Sequence, residues 1–338
     1  MIARLLNWLY AELDQAEEKK QLLVGTTRLE RDRLRKAAAE GLVEEAFPGA
    51  YARHAYWDSL SPKQRVRHKA RAAQILHPNW VFAGPTAALI HGLAVSNRYL
   101  EPLYVSADSS CHRRHDSQVC HIMIADKTSV TKDDLQLTTP ERTVGDCLRL
   151  MDFRSGLAIA DSALRRQSQT RATLAAKVGE VCARSAGIGR VRSLLSLADG
   201  RAESGGESIA RATMLELGLM LPDLQRWYED PLEPGEGYRV DYVWDVEGGS
   251  VLGELDGNEK YTNPQMTLGR SVTRIIEDEH RRQSHIETRK DVQRFVRFGF
   301  ADVMHERSFL RLLLASGVPR NYGLDERVQA AGGILRCR

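Results

Sequence analysis

The sequence predicts a mixed α/β protein (α+β) of two or three domains. Three observations predict it. The amino end carries helical periodicity and then two short β-type runs around Pro48-Gly49. The middle pairs a small-residue helix with two strand-like runs. The last third orders helix, hairpin, helix, strand, helix, the order of a mixed sheet flanked by helices. A chain of 338 residues is longer than one hydrophobic core usually organises.

The elements follow in order. Ile2, Leu5, Leu6, Leu9 and Leu13 lie on one helical stripe, so the chain opens on a helix. That segment soon turns acidic and has no small-residue cleavage site, unlike a secretory leader. Leu29, Leu34 and Ala38 mark a second helix ending near Gly41. Leu42–Phe47 and Ala50–Arg53 then pair across Pro48-Gly49 as a small hairpin. A helix followed by a two-stranded wing is the second half of a winged helix-turn-helix, expected over residues 1–60. Arg28, Arg31, Arg33, Arg35 and Lys36 would lie on its recognition helix, where basic side chains reach phosphates and base edges. The alternative is an ordinary surface helix, since Glu30 and Asp32 interrupt the positive stripe. Lys63, Arg65, Arg67, Lys69 and Arg71 come at two-residue intervals, which a helix scatters around its faces.

The next domain is expected over 61–195. Phe82–Leu93 reads as a closely packed small-residue helix. Leu103–Ala107 and Val119–Ile124 read as strands joined by a polar hairpin loop. Cys111, His112, His115, Cys120 and His121 crowd that region, but their spacing matches none of the common zinc frames. Thr138–Glu141 reads as a strand end plus a helix start, with Pro140 in the first turn. Arg142 and Asp146, four apart, can pair on one helix face. Leu195–Gly206, rich in small polar residues, is a linker or an ordered loop.

The most informative stretch is Gly237–Tyr261. Two β-type runs, YRVDYVW and SVLGELDG, flank a turn at Glu247–Ser250. They carry Asp241, Glu254 and Asp256. Acids are poor strand residues and costly in a buried sheet. Glu254 and Asp256, two apart, share a face, and Asp241 converges on them if the hairpin register allows. Clustered carboxylates commonly hold a hard cation such as Mg²⁺, which activates water and neutralises a phosphoryl oxygen. The alternative is a hairpin whose acids face water on the wet side of an antiparallel pair.

An Asp, about a dozen residues, then Glu-x-Asp-Gly resembles the compact, very-short-patch-repair-like branch of the PD-(D/E)XK nucleases, over about Gly205–Pro319 and a domain of 205–320. The resemblance implies Asp241 and Glu254 as Mg²⁺ (or Mn²⁺) ligands and Glu207, opening a helix, as a supporting acid. Asp256 stands in place of the usual Lys, and Lys260 where relatives often have His. All five count as candidate catalytic residues. Glu277–Ile286, with Arg281, Arg282 and His285, resembles the family's basic helix. Val292–Phe298, with Arg294 and Arg297, resembles its late strand, and Phe309–Ser316 closes the domain as a helix. For Arg281, Arg282 and Arg297, phosphate contact and a solvated charged face both remain open.

A second resemblance covers about Leu22–Arg166. Winged helix, basic helix, a helix ending His91-Gly92-Leu93, then TTPERTVGD at Thr138–Asp146 and a helix at Ala158–Arg165 are similar to AbiEi-type antitoxins of toxin–antitoxin loci. It implies DNA binding and a cognate toxin protein as partner, not chemistry.

Composition sets bounds. Net charge +3 permits nucleic-acid binding without demanding it. No apolar run reaches the roughly 18 residues of a membrane span, so no membrane partner is expected. Five cysteines, unevenly spread, suit a reducing cytoplasm. The expectation is a DNA-associated protein with a metal-dependent endonuclease domain, in phage defence or DNA repair. The alternative is a non-catalytic antitoxin or transcriptional regulator of the same fold.

Overall fold

The computed structural model describes residues 2–108, 118–124, 128–183, 185–233, 235–256, 281 and 283–336, with side chains from residue 6 onward. The predicted mixed α/β class holds: helices alternate with small sheets, one of them four-stranded and mixed. The chain divides into two compact units, Met1–Leu150 and Met151–Arg338. The sequence suggested a boundary near 195–205. The helices after Met151 fall in the unit of the carboxyl-terminal elements, and buried charges on them find partners there, as described below.

In the first unit, α1 (Ile2–Glu18), β1 (Leu23–Val24), α2 (Arg28–Ala39), β2 (Glu44–Phe47) and β3 (Ala50–Ala52) form a helical pair on a three-stranded sheet of order β1-β3-β2. Leu9, Leu13, Leu34, Ala37, Val43 and Tyr51 make its core. The start of α2 is set by a capping box: Thr27 accepts from Glu30 N, and the Glu30 carboxylate accepts from Thr27 N. The expected hairpin forms across Pro48-Gly49, with β2 and β3 antiparallel.

Next come α3 (His54–Ser59), α4 (Pro62–Leu76), α5 (Gly84–His91), β4 (Leu103–Ala107), β5 (Val119–Met123), β6 (Ser129–Lys132), β7 (Leu135–Thr138) and α6 (Pro140–Leu150). The basic run on α4 is largely used internally. Lys69 is buried on Glu101 at 2.6 Å, Arg67 donates to the Leu89 carbonyl, and Arg71 to the Lys20 carbonyl. One expectation is corrected: β4 and β5 pair in parallel, so they are not the arms of a hairpin. Phe82 bridges to both Val105 and Leu137, so strands distant in sequence register against a shared neighbour. The Cys111–His115 run lies outside the described residues. Arg142 and Asp146 do pair, through two 2.9 Å bonds in a buried setting.

The second unit contains α7 (Phe153–Gln167), α8 (Arg171–Val181), α9 (Ile188–Leu197), α10 (Gly205–Glu216), β8 (Asp223–Glu229), β9 (Gly237–Val246), β10 (Gly249–Asp256), β11 (Val292–Gly299), α11 (Phe300–Met304), α12 (Glu306–Ala315) and α13 (Asp325–Ala330). The sheet order is β11-β10-β9-β8, with β10 and β11 parallel and the other pairs antiparallel. Gly248, at φ +83°, closes the β9–β10 turn. Met214, Tyr242, Trp244, Phe298, Phe309 and Leu313 form the core cluster that α10 and α12 share with the sheet. Val240, Val243, Leu252 and Phe295 form a second cluster with Ile286, from a helical segment over 283–287. The segment read as linker or ordered loop is packed: Leu197, Ala198 and Ala202 are buried. Arg211 of α10 donates two 2.8 Å bonds to Asp161 of α7. Arg154 of α7 bonds Glu216 and Glu306. These pairs tie α7 to the sheet domain.

Candidate functional site

Asp241 and Glu254 open on one cavity of about 330 Å³, walled by Gln225, Trp227, Phe295 and Arg297. The hairpin register makes this happen. Gly253 faces Tyr242, so the next pair outward is Glu254 and Asp241. The Asp241 Oδ2 accepts from the Leu255 backbone N–H at 3.1 Å, which fixes its carboxylate against β10. Its Oδ1 accepts from the Gln225 Nε2 on β8 at 3.0 Å.

Glu207 enters from the first turn of α10. Its N–H donates to Ser204 Oγ, the helix cap, at 3.1 Å. Its Oε2 accepts from Glu203 N at 2.7 Å and from the same Gln225 Nε2 at 3.1 Å. The supporting acid is therefore linked to Asp241 through one amide group. Burial pushes the Glu207 carboxyl up, and the Asp241 charge adds to the rise; bonds from Glu203, Ser204 and Gln225 oppose both. Tyr242 donates to the Glu207 carbonyl at 3.1 Å from within the core, closing the base of the site.

Glu254 and Asp256 share a face as expected, since both reach the guanidinium of Arg297, at 2.7 and 3.3 Å. Arg297 was a candidate for phosphate contact. Here it stands in register with Glu254 on the neighbouring parallel strand and is largely sequestered by the two acids. Among the described residues, no three acids, His or Cys close into one metal-binding group. The amide of Gln225 stands between Glu207 and Asp241, and Arg297 holds Glu254. The donor set nevertheless fits Mg²⁺ or Mn²⁺: two carboxylates on a polar cavity are the protein share such an ion usually takes, the rest being water and phosphate. Lys260 and Arg282 lie outside the described residues, and Arg281 is exposed.

The sequence reading missed Gln225, Trp227 and Asp230. The Trp227 indole is 61% exposed at the cavity. Asp230, with no side-chain exposure, accepts from Leu232 N, Tyr238 Oη and His285 Nδ1. Burial alone would raise its carboxyl; those bonds prevail and hold it well below the usual carboxylate range. His285 is thereby fixed beside β8 rather than presented as a basic contact. An acid at the end of the Asp223–Glu229 run was the one signal available for it.

In the first unit, Arg28, Arg31, Arg35 and Lys36 all lie on the exposed face of α2, with Leu34 and Ala37 buried behind. Arg35 pairs with Asp32 at 3.1 Å and Lys36 with Glu40 at 3.8 Å, both in solvent, and Arg31 donates to the Thr26 carbonyl. Arg33 differs: it turns inward over the Trp8 ring. Exposed pairs of this kind are weak, so the face keeps its positive side chains available. No helix among the described residues is long and apolar enough to cross a membrane.

Among known proteins, no family model matches the chain, and no solved structure matches it. Two uncharacterised proteins of Mycobacterium tuberculosis, from strains CDC 1551 / Oshkosh and ATCC 25618 / H37Rv, are each 34% identical over 159 residues, covering 43% of this chain. The chain spans 56% of the length of each of these relatives.

Proposed function

We propose that this is a DNA-associated protein whose second unit carries a divalent-cation-dependent endonuclease site. The observation that carries the reading is the meeting of Asp241 and Glu254 on one cavity, with Glu207 tied to Asp241 through Gln225. Asp241 and Glu254 would hold Mg²⁺ or Mn²⁺, which supplies an activated water and a counter-charge for a phosphoryl oxygen. The chain's own residues do the rest. Leu255 N and Gln225 orient Asp241. Glu207 sits in the first turn of α10, near enough to Asp241 for like charge to raise its proton affinity, so it tunes the charge of the pair. Trp227 and Phe295 line the cavity beside the acids. The exposed basic face of α2 would provide duplex affinity through phosphate contacts. Phage defence and DNA repair are the settings that suit such a protein.

The test is Mg²⁺- or Mn²⁺-dependent cleavage of supercoiled, linear and mismatched DNA, with Asp241→Ala and Glu254→Ala beside the parent. The expected outcome is cleavage by the parent and none by either variant. Undiminished cleavage by Asp241→Ala would remove the site from the reading.

A second reading is favoured by one specific observation: Arg297 clasps Glu254 and Asp256, and an acid occupies the position where the resembled family carries Lys. On this reading the chain is a non-catalytic, antitoxin-like regulator with a cognate toxin partner. No cleavage on any DNA, with salt-sensitive duplex binding that needs residues 1–60, would select it.

A further inference from the structure

We propose that Gln225 is the positioning residue of this acid site: its side-chain amide spans Glu207 and Asp241 and keeps both carboxylates together and aimed for a divalent cation. The inference rests on the cation-site reading above and adds to it an uncharged residue from a different strand.

The geometry is specific. An amide nitrogen has two N–H donors. Gln225 Nε2 lies 3.1 Å from Glu207 Oε2 and 3.0 Å from Asp241 Oδ1, so one donor serves each acid. Two carboxylates this close repel unless something positive stands between them. The amide supplies that partial charge without a cation, so the pair stays assembled and ready. Asp241 is gripped from both sides, by Gln225 of β8 and by Leu255 N of β10.

The backbone gives a second, independent sign. Gln225 has φ +55°, in the left-handed region that disfavours side chains. Among the described residues, the other non-glycines with positive φ are Lys20, Asp133, Asp134 and Ser168, all outside strands. Gln225 lies inside β8, and the strand keeps its register on both sides of it: Leu224 faces Tyr242 and Arg226 faces Val240. The ladder skips Gln225 itself, so the left-handed residue sits at a local break in the pairing, beside Asp241. Strain of this kind persists where surrounding contacts over-determine it, and it concentrates at functional sites. Here the side chain carried on that backbone makes the two amide bonds to the acids.

The experiment titrates Mn²⁺ into the full chain by calorimetry: parent, Asp241→Ala, Gln225→Ala and Gln225→Gly, each with a melting curve. Glycine adopts φ +55° without strain, so Gln225→Gly removes the amide while leaving the backbone at ease. Where that variant melts low, Gln225→Asn, with a shorter amide and a residue that tolerates left-handed backbone, replaces it. The expected result is binding by the parent, none by Asp241→Ala, and Mn²⁺ affinity lowered about 10- to 100-fold in the Gln225 variants, the scale at which groups orienting metal ligands act. Parent-like affinity in Gln225→Gly, with binding lost in Asp241→Ala, overturns the role of Gln225 and leaves the cation site standing. No Mn²⁺ binding by the parent overturns the cation site, and the role of Gln225 with it.

Discussion

Arg211 and Asp161 show what a single residue does in this fold. Asp161 has no exposure and Arg211 only 3%; the arginine also donates to the Leu197 carbonyl at 2.9 Å, and Asp199 N donates to Asp161 at 2.7 Å. Removing one partner strands a buried charge. Arg211→Met should therefore lower the stability of the second unit by about 3–5 kcal/mol, read from its urea midpoint, and Arg211→Met with Asp161→Leu should recover much of that. Asp230 gives a pH prediction. Its carboxyl is held below its ordinary value of 3.8 by its donors, so its contribution is complete above that value and is lost as pH falls through and below it. The parent's melting temperature should fall more steeply than that of Asp230→Asn between about pH 5 and pH 2, the two curves converging in acid. Parallel curves would refute the linkage. Asp241, Glu254 and Asp256 were legible because acids stand out in apolar β-type runs. Gln225 was not, because nothing in LQRWYE announces a left-handed residue. Arg297 was visible as a base but not as the partner of Glu254, because that pairing depends on a parallel register spanning some forty residues of sequence.

At the scale of elements, the β9–β10 hairpin was readable because a Gly-containing turn between alternating runs fixes its own register. The direction of β4 against β5 was not readable, because two short strand-like runs in sequence carry no mark of whether they pair parallel or antiparallel. The carboxyl-terminal hairpin also carries a packing requirement beside the site. A Cβ on Gly253 would lie 2.9 Å from Trp244 Cζ3, in a core with no slack. Gly253→Ala should destabilise the second unit by about 1–3 kcal/mol through overpacking, and, because Glu254 is the next residue, it should weaken Mn²⁺ binding as well. Chemical denaturation and the Mn²⁺ titration read the two effects separately; a variant unchanged in both would show that β10 yields without cost. In the first unit, Thr27→Ala removes the hydroxyl that accepts from Glu30 N. It should lower stability by about 1 kcal/mol and fray the first turn of α2, where Arg28 and Arg31 stand.

At the scale of the whole molecule, each unit has its own core: Leu9, Leu34 and Tyr51 belong to one, Tyr242, Trp244 and Phe309 to the other. Binding and chemistry, as proposed, reside in different cores, so each should be removable without the other. Arg31→Ala with Arg35→Ala and Lys36→Ala should weaken duplex binding and flatten its dependence on salt, by close to one unit of log–log slope for each phosphate that the variant no longer neutralises. Asp241→Ala should leave both quantities unchanged while abolishing cleavage. Fluorescence anisotropy on one duplex at about 50 and 200 mM salt, a range over which counterions strongly weaken phosphate binding, reads the first pair of quantities; a plasmid assay reads the last. The triple variant also removes the pairs with Asp32 and Glu40, but these are solvent-exposed and of little weight in stability, so a fall in affinity would report on the charges. If the triple variant binds as the parent does, the basic face of α2 is a solvated surface, and duplex affinity must be sought beside the acid site, where Arg239 and Trp227 line the same cavity as Asp241.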